Sequence, residues 1–192
     1  WNGVIAKTGL SIRTQERVTS ITAIPGGFMV KTTKAQHACR SVLLAIGRRG
    51  TPRRLGVPGE ELAKVMYRLT DPEQFRGQHV LVVGGGDSAL EAAASLAEEP
   101  GTTVTLSYRS EAFGRAKTKN RQRVEAAERE GRLEVQLRST VTRIDANAVE
   151  LKSGETAIVR RNDAVIVCAG GILPTDFLRS IRIGIETKYG TA

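Results

Sequence analysis

Cysteine, aromatic residues and long apolar runs are all scarce in this sequence, and each scarcity excludes a class of protein. The two cysteines, Cys39 and Cys168, lie far apart and form neither a C-x-x-C pair nor a metal-binding spacing. We interpret them as buried structural thiols of a protein in a reducing compartment. No apolar run approaches the length that spans a membrane, which argues against a membrane protein.

The chain also begins without the features of a targeting segment. Its first residues are Trp1-Asn2-Gly3, without an initiator methionine and without the basic and apolar regions of a signal peptide. These features predict a cytoplasmic protein and a chain taken from within a longer one. The 192 residues suffice for one full domain and part of another.

Positive charge is abundant, with a formal net charge of +9. Aromatic residues make up only 4% of the chain, so the stacking side chains typical of single-strand nucleic-acid binding are missing. No helix-turn-helix, zinc or RNA-binding motif is present. We therefore expect no nucleic-acid partner and interpret most of the charge as a solvated surface, with phosphate contact at a few of the basic residues, which group at Arg48, Arg49, Arg53, Arg54, Lys117, Lys119, Arg121 and Arg123.

The most informative stretch runs from Val80 to Ala94. Branched apolar residues stop at Gly84, Gly85 and Gly86, and an alanine-rich run follows. This order predicts a strand, a tight turn and a helix. Gly84, Gly86 and Ala89 fit G-x-G-x-x-[G/A], the fingerprint of dinucleotide-binding turns.

Each residue type in the turn has a physical role. Gly84 permits the sharp turn, Gly86 lets a pyrophosphate approach the backbone, and Ala89 lets the helix pack close to the strand. The helix N-terminus attracts the phosphates, and Asp87 or Ser88 is predicted to cap it. The alternative is a glycine-rich turn that binds nothing, and the context of the motif decides between the two.

The end of the next strand, Thr103 to Tyr108, predicts which dinucleotide binds. NAD-specific sites place an acidic residue there for the ribose 2′-hydroxyl. This sequence has Arg109 and Ser110, with Arg115 and Lys117 shortly after. A guanidinium binds a 2′-phosphate that a carboxylate would repel. We therefore predict NADP(H), with Arg109 as the principal contact and solvent-facing arginines as the alternative.

Hydrophobic periodicity and turn residues predict the remaining elements. The predicted strands are Leu10–Arg13, Arg17–Ile24, Phe28–Thr33, Cys39–Gly47, Leu133–Leu137, Ser139–Ile144, Ala148–Leu151 and Asp163–Gly171, and the predicted helices are 87–98, 117–129 and a short one after Pro174.

Several of these features resemble the thioredoxin-reductase-like flavoenzymes. The hairpin, the strand ending Ala45-Ile46-Gly47 and the turn Val57-Pro58-Gly59-Glu60 are similar to the antiparallel insert of that family's FAD domain and to the linker after it. The resemblance implies that Ala169 and Gly170 lie along the nicotinamide side of NADPH. It also implies that the FAD-binding motifs lie before and after this segment.

The predicted fold class is therefore α/β. A Rossmann-like domain at 76–171, with a parallel sheet, helices on both faces and an antiparallel excursion, follows a partial FAD-type segment at 1–75 and precedes a return segment at 172–192. Residues 66–70, just before the glycine-motif strand, lack the C-x-x-C that thioredoxin reductases have there. The resemblance is therefore to members without it, such as the ferredoxin–NADP reductases and bacillithiol-disulfide-reductase-like proteins.

The predicted function is the NADPH-binding portion of an FAD-dependent oxidoreductase that passes hydride from NADPH to flavin. We expect the isolated chain to be inactive and not to retain FAD. The alternative is a non-catalytic NADP-binding sensor or interaction module. The sequence leaves open the electron acceptor and whether the full-length parent is a homodimer.

Overall fold

The structure is a computed structural model that describes residues 2–47 and 51–186. It divides into two compact units, residues 2–47 with 173–186, and residues 51–172. Of the basic residues noted above, Arg48 and Arg49 lie outside the described residues, as does the end of the return segment, 187–192.

The first unit contains a three-stranded antiparallel sheet and two short helices. The sheet has the order β1-β2-β3, and the predicted hairpin with its Pro25-Gly26 turn is confirmed. Gly26 has a φ of +78°, a conformation that favours glycine in a tight turn. The elements are α1 (Asn2–Thr8), β1 (Val18–Ile24), β2 (Gly27–Thr32), β3 (Gln36–Cys39) and α4 (Thr175–Ser180).

Two predicted strands of this unit are wrong. Leu10–Arg13 and residues 41–47 have no regular structure, and the apolar side chain of Leu43 is 91% exposed. Apolar content favours a strand only where a neighbouring strand pairs with its backbone. Within the described residues, nothing pairs with 41–47. The strand that does form here, β3, shares only Cys39 with the predicted strand Cys39–Gly47.

The second unit is built on a five-stranded parallel sheet of order β5-β12-β6-β7-β8. A three-stranded antiparallel sheet, β11-β10-β9, and a short pair, β13-β4, accompany it. The strands are β4 (Thr51–Pro52), β5 (Val65–Met66), β6 (His79–Val83), β7 (Thr103–Ser107), β8 (Leu133–Gln136), β9 (Ser139–Ile144), β10 (Ala148–Ser153), β11 (Thr156–Arg161), β12 (Ala164–Val167) and β13 (Gly171–Ile172); the helices are a 3₁₀ turn (Pro72–Phe75), α2 (Asp87–Leu96) and α3 (Thr118–Arg129).

The α/β fold class is confirmed, with one difference in how the sheet is covered. Alternate residues of β6 point to opposite faces. Val80 and Val82 pack with α2 and α3, whereas Leu81 packs with the antiparallel sheet. In the described part of the chain, the second face is therefore covered by strands β9–β11 rather than by helices. Helix α2 lies close to the sheet because its inner face is alanine-rich, with Ala89 and Ala93 fully buried.

The compact units differ from the domain boundary predicted between residues 75 and 76. Residues 51–75 belong to the unit of the parallel sheet, because Val65 and Met66 pair with β12 as its edge strand. Glu60 strengthens this attachment. Its buried carboxylate accepts hydrogen bonds from the N–H groups of Leu55 (2.5 Å) and Gly56 (2.8 Å) and from the hydroxyl of Tyr67 (2.7 Å).

Candidate functional site

The predicted site residues follow three neighbouring strands where those strands end. Val83, Ser107 and Val167 lie side by side at the ends of β6, β7 and β12. The N–H of Gly84 donates to the carbonyl of Ser107 (2.9 Å), and the N–H of Cys168 donates to that of Val83 (2.7 Å). The glycine turn is therefore central, with the arginine loop beyond β7 on one side and Ala169–Gly170 on the other. This carboxyl edge is where open α/β sheets bind ligands.

Gly84 and Gly85 are required by packing. Gly84 has a φ of +146°, and a Cβ there would lie 2.4 Å from the carbonyl oxygen of Cys168. A Cβ on Gly85 would lie 2.3 Å from the ring of Tyr108. The buried Ala89 packs against the same turn, because its Cβ lies 3.1 Å from the position that a Cβ on Gly84 would occupy. The tight strand–turn–helix geometry expected from the fingerprint is thus present.

Gly86 differs, because a Cβ there would meet nothing within 4 Å. It is the N-cap of α2 and makes no side-chain cap hydrogen bond. The N–H groups of the first turn of a helix have no partner within the helix, and the helix dipole adds positive potential there. Open space at the Cβ position of Gly86, next to the start of the helix, leaves room for a phosphate to approach the backbone.

Asp87 does not cap α2 as predicted, and it holds the start of α3 instead. Its Oδ1 accepts hydrogen bonds from the N–H of Lys117 (2.8 Å) and from Nδ2 of Asn120 (2.7 Å). These bonds lower the pKa of Asp87. The same Nδ2 donates to Oε1 of Glu91 (3.0 Å), so the buried amide of Asn120 bridges the carboxylates of Asp87 and Glu91. The side chain of Ser88 is exposed.

Arg109 and Arg115 are exposed on the loop after β7. Within the described residues, neither guanidinium makes an ion pair or a hydrogen bond, so both are available to an anionic ligand. Ser110 is half-buried, and its carbonyl accepts from the N–H of Arg138 (3.1 Å), which ties the loop to the segment before β9.

Across the glycine turn, the loop after β12 is attached to β4. Ala169 is half-buried and packs against the core beneath the antiparallel sheet. Gly170 is exposed with a φ of +84°. Its carbonyl accepts from the N–H of Arg53 (3.0 Å). Both residues thus lie on a loop that is fixed at the sheet edge.

The structure adds residues that the sequence reasoning missed. Tyr108 stacks on Phe113 with ring centroids 5.5 Å apart and planes at 18°, and the Tyr108 ring lies against Gly85. Asn120, only 6% exposed, joins α2 to α3 through Asp87. An asparagine in the first turn of a charged helix gives no sequence signal for such a bridge, whereas Tyr108 was noticeable from its place beside Arg109.

Cys168 lies next to the glycine turn and is half-buried. Burial raises its pKa to about 11, and the thiolate is the reactive form. Residues 2–47 and 51–186 contain no cluster of three or more His, Cys, Asp or Glu side chains that could hold a metal ion. In the same ranges, no helix is long and apolar enough to cross a membrane.

Residues 1–191 match the family described as pyridine nucleotide-disulphide oxidoreductase. The chain belongs to this family. It is 29% identical over 165 residues to bacilliredoxin reductase Bdr of Bacillus subtilis, covering 85% of this chain and 51% of that protein. It is 44% identical over 78 residues to a ferredoxin–NADP reductase of Ignicoccus hospitalis, covering 41% of this chain and 25% of that protein. The matched region thus spans about half the length of the first relative and a quarter of the length of the second.

Solved structures of related reductases have the same fold as this chain. Bacillithiol disulfide reductase Bdr of Staphylococcus aureus superposes with a TM-score of 0.82 at 26% identity, covering 97% of this chain and 58% of that one. Thioredoxin reductase of T. acidophilum superposes with a TM-score of 0.78 at 24% identity, covering 96% of this chain and 62% of that one; this second likeness concerns the fold alone. The resemblance to thioredoxin-reductase-like FAD- and NADP-dependent oxidoreductases is confirmed, and the named relatives are reductases.

Proposed function

We propose that this chain provides the NADPH-binding portion of an FAD-dependent oxidoreductase in which hydride passes from NADPH to flavin. One observation underlies the proposal. At the carboxyl edge of the parallel sheet, the open turn at Gly86 follows β6, and Arg109 and Arg115, whose guanidiniums pair with no described residue, follow the adjacent β7. Family membership supplies the reaction class.

The residues of this edge fit the parts of NADPH. The turn from Gly84 to Ala89 would hold the pyrophosphate at the N-terminus of α2. Arg109, Ser110 and Arg115 would hold the 2′-phosphate, since exposed guanidiniums without partners offer charge-assisted hydrogen bonds. Ala169 and Gly170 would lie along the nicotinamide side. The discrimination against NADH follows from the absence of a carboxylate directly after β7, where Tyr108 and Arg109 stand.

In the reaction, the residues of this chain bind and orient rather than exchange protons. When bound, the reduced nicotinamide supplies a hydride and the flavin of the complete enzyme accepts it. The loop after β12 would hold the nicotinamide side in a fixed orientation, because the carbonyl of Gly170 accepts a hydrogen bond from the N–H of Arg53. Fixed orientation of the reactants is the main contribution that a protein makes to such a transfer. Cys168 stays protonated at neutral pH, since its pKa is about 11.

The proposal is tested by calorimetric titration of the chain with NADPH and with NADH. We expect NADPH to bind more tightly, and Arg109→Ala to weaken NADPH about 10- to 150-fold, the equivalent of about 1.5–3 kcal/mol for a charged hydrogen bond. The control is Arg143→Ala, an exposed arginine of β9 paired with Asp145, which should leave both affinities unchanged. Equal affinity of the wild type for both nucleotides would contradict the proposed specificity.

The flavin part of the proposal has its own test. We expect the purified chain to be colourless and to leave added FAD unreduced by NADPH. A yellow protein, or bleaching of added FAD at its visible absorption band, would show that this chain alone holds the flavin.

A further inference from the structure

Strand β11 forms one edge of the antiparallel sheet, and in the described part of the chain no strand pairs with its outer side. Its pairing with β10 is regular from Thr156 to Arg161, without a bulge, and it contains no proline. Bulges and prolines keep edge strands from pairing with another chain. The opposite edge, β9, is partly covered, because the N–H of Ile144 donates to the carbonyl of Pro58 (2.9 Å). The outer side of β11 therefore offers the longer uncovered edge of this sheet.

The hairpin turn determines which backbone groups of β11 face outward. Ser153 pairs with Thr156 across the two-residue turn Gly154–Glu155, so these two residues exchange hydrogen bonds, and the pattern alternates from there along the strands. Every second residue of β11 then has its N–H and C=O pointing away from β10, namely Ala157, Val159 and Arg161. Within residues 2–47 and 51–186 no strand or loop pairs with these groups. They are available to a partner strand.

The exposed side chains along β11 carry opposite charges at the two ends and are apolar between them. Alternate residues share one face of a strand. Ala157, Val159 and Arg161 are exposed, as is Glu155 in the adjoining turn, and Val159 is 69% exposed. Neither Glu155 nor Arg161 makes an ion pair with any described residue. An edge with this pattern is complementary to a reversed copy of itself.

A two-fold axis at Ile158 brings the complementary groups together. Two identical edges related by a two-fold axis run antiparallel, and each contact occurs twice. With the axis at Ile158, Ala157 lies opposite Val159 of the second copy, and the two can exchange both hydrogen bonds because both have outward groups. Glu155 then lies opposite Arg161 of the second copy. The half-buried Ile158 side chains of the two copies would meet at the axis.

The other registers that the outward groups allow lack this match. An axis at Ala157 places Glu155 opposite an apolar Val159. An axis at Val159 brings Glu155 to the level of Asp163, and an axis at Arg160 places two arginines opposite one another. Like charges directly opposite each other destabilise a strand pair, whereas opposite charges stabilise it. Charge therefore favours the register centred on Ile158.

We propose that β11 pairs with β11 of a second copy of this chain, antiparallel about Ile158, so that the two antiparallel sheets become one continuous sheet. None of the residues proposed to bind NADPH lies on β11, so this interface does not depend on the proposed function. The contact is confined to one strand of six residues, which is small beside a permanent dimer interface. We therefore expect a reversible dimer with a Kd of about 10–100 µM.

The test is sedimentation equilibrium of the whole 192-residue chain over a range up to about 500 µM. We expect the average mass to rise from that of a monomer towards that of a dimer and no further, because a two-fold contact is closed. Hydrogen exchange followed by NMR locates the contact. The amides of Ala157, Val159 and Arg161 should exchange more slowly at high than at low protein concentration. A chain that stays monomeric at about 500 µM would overturn the proposal.

Charge reversal tests the register. Glu155→Arg and Arg161→Glu each replace both attractive pairs of the dimer by repulsive ones, and we expect each to raise the Kd about tenfold. The double variant restores opposite charges and should dimerise as the wild type does. Lys119→Glu is the matched control, an exposed charge reversal on α3, and should leave the Kd unchanged. Circular dichroism checks that all four variants fold.

Two further outcomes would contradict this interface. If the single variants dimerise as tightly as the wild type, the dimer uses another surface. If the double variant is as weak as the single ones, Glu155 and Arg161 do not lie opposite each other, and the register centred on Ile158 is wrong.

Discussion

Replacement by alanine should have different effects at Gly84 and Gly86, although both are glycines of the same dinucleotide-binding fingerprint. A Cβ on Gly84 would lie 2.4 Å from a backbone carbonyl oxygen, at a φ of +146°. A Cβ on Gly86 would meet nothing within 4 Å. We therefore expect Gly84→Ala to damage the fold, and Gly86→Ala to damage NADPH binding while the fold remains.

The structure sets the size of both effects. At Gly84, backbone strain of about 1–3 kcal/mol adds to overpacking of about 1–3 kcal/mol, because the carbonyl of Cys168 cannot rotate away as a side chain could. The sum is about 2–6 kcal/mol of unfolding free energy. At Gly86, the cost is that of alanine at an N-cap, about 1 kcal/mol or less relative to glycine. The added methyl would stand where the pyrophosphate must approach, so the Kd for NADPH should rise at least about tenfold.

Urea unfolding followed by circular dichroism measures the first quantity, and calorimetry with NADPH the second. Gly154, in the turn between β10 and β11, provides a control, because it shares a positive φ (+60°) but has nothing within 4 Å of its Cβ position. Gly154→Ala should lose stability only through backbone strain and should bind NADPH normally. If Gly86→Ala binds NADPH as tightly as the wild type, the pyrophosphate is not at this turn. If Gly84→Ala is as stable as Gly86→Ala, the close packing against Cys168 is not what the turn requires.

Further predictions concern stability and reactivity. Burial alone would raise the pKa of Glu60, but hydrogen bonds from Tyr67 and two N–H groups outweigh it and lower the pKa. The stabilisation that ionised Glu60 gives the fold should therefore be complete above about pH 5 and be lost as the pH falls through the lowered folded-state pKa. The urea midpoint of Glu60→Gln should accordingly depend less on pH in this range than that of the wild type. Asn120→Asp should unfold more easily than Asn120→Ala, because it adds a third carboxylate between Asp87 and Glu91, and equal urea midpoints would contradict this bridging role. Cys168 should react with iodoacetamide slowly at pH 8 and rapidly in urea, as mass spectrometry would show; fast labelling of the native protein would refute the raised pKa. Residues 51–172 should fold alone with a cooperative urea transition, since both apolar cores lie within them.

The fold of the second unit could be predicted because each pattern in its sequence has its partner nearby. The apolar run of β6 is buried between β12 and β7, and the alanines of α2 pack on the sheet. In the first unit the same reasoning failed at Val42–Gly47. That run has the composition of a buried strand, yet no strand pairs with it in the described residues. The apolar composition of a segment indicates that it can be buried, but whether it forms a strand depends on a neighbouring strand that can pair with its backbone.

The candidate site was predictable only in part, for a related reason. The positions of Gly84–Ala89 and Arg109 follow from a strand–turn–helix pattern and a strand end, which are local features. The role of Asp87 is not local: its carboxylate reaches Lys117 and Asn120, thirty or more residues along the chain. Local reasoning assigned it to the nearer helix, because an acidic residue at a helix start usually caps that helix.

The residues of the glycine motif fall into two groups. Gly84, Gly85 and Ala89 are explained completely by contacts with Cys168, Tyr108 and one another, so their presence supports the fold and would be equally necessary in a turn that binds nothing. Gly86 has no such contact. The guanidinium of Arg109 likewise makes no ion pair or hydrogen bond with any described residue. A phosphate-binding edge requires a glycine without a packing reason after one strand and, after the adjacent strand, an arginine that pairs with no described residue. The proposed function therefore depends on Gly86 and Arg109 rather than on the fingerprint as a whole.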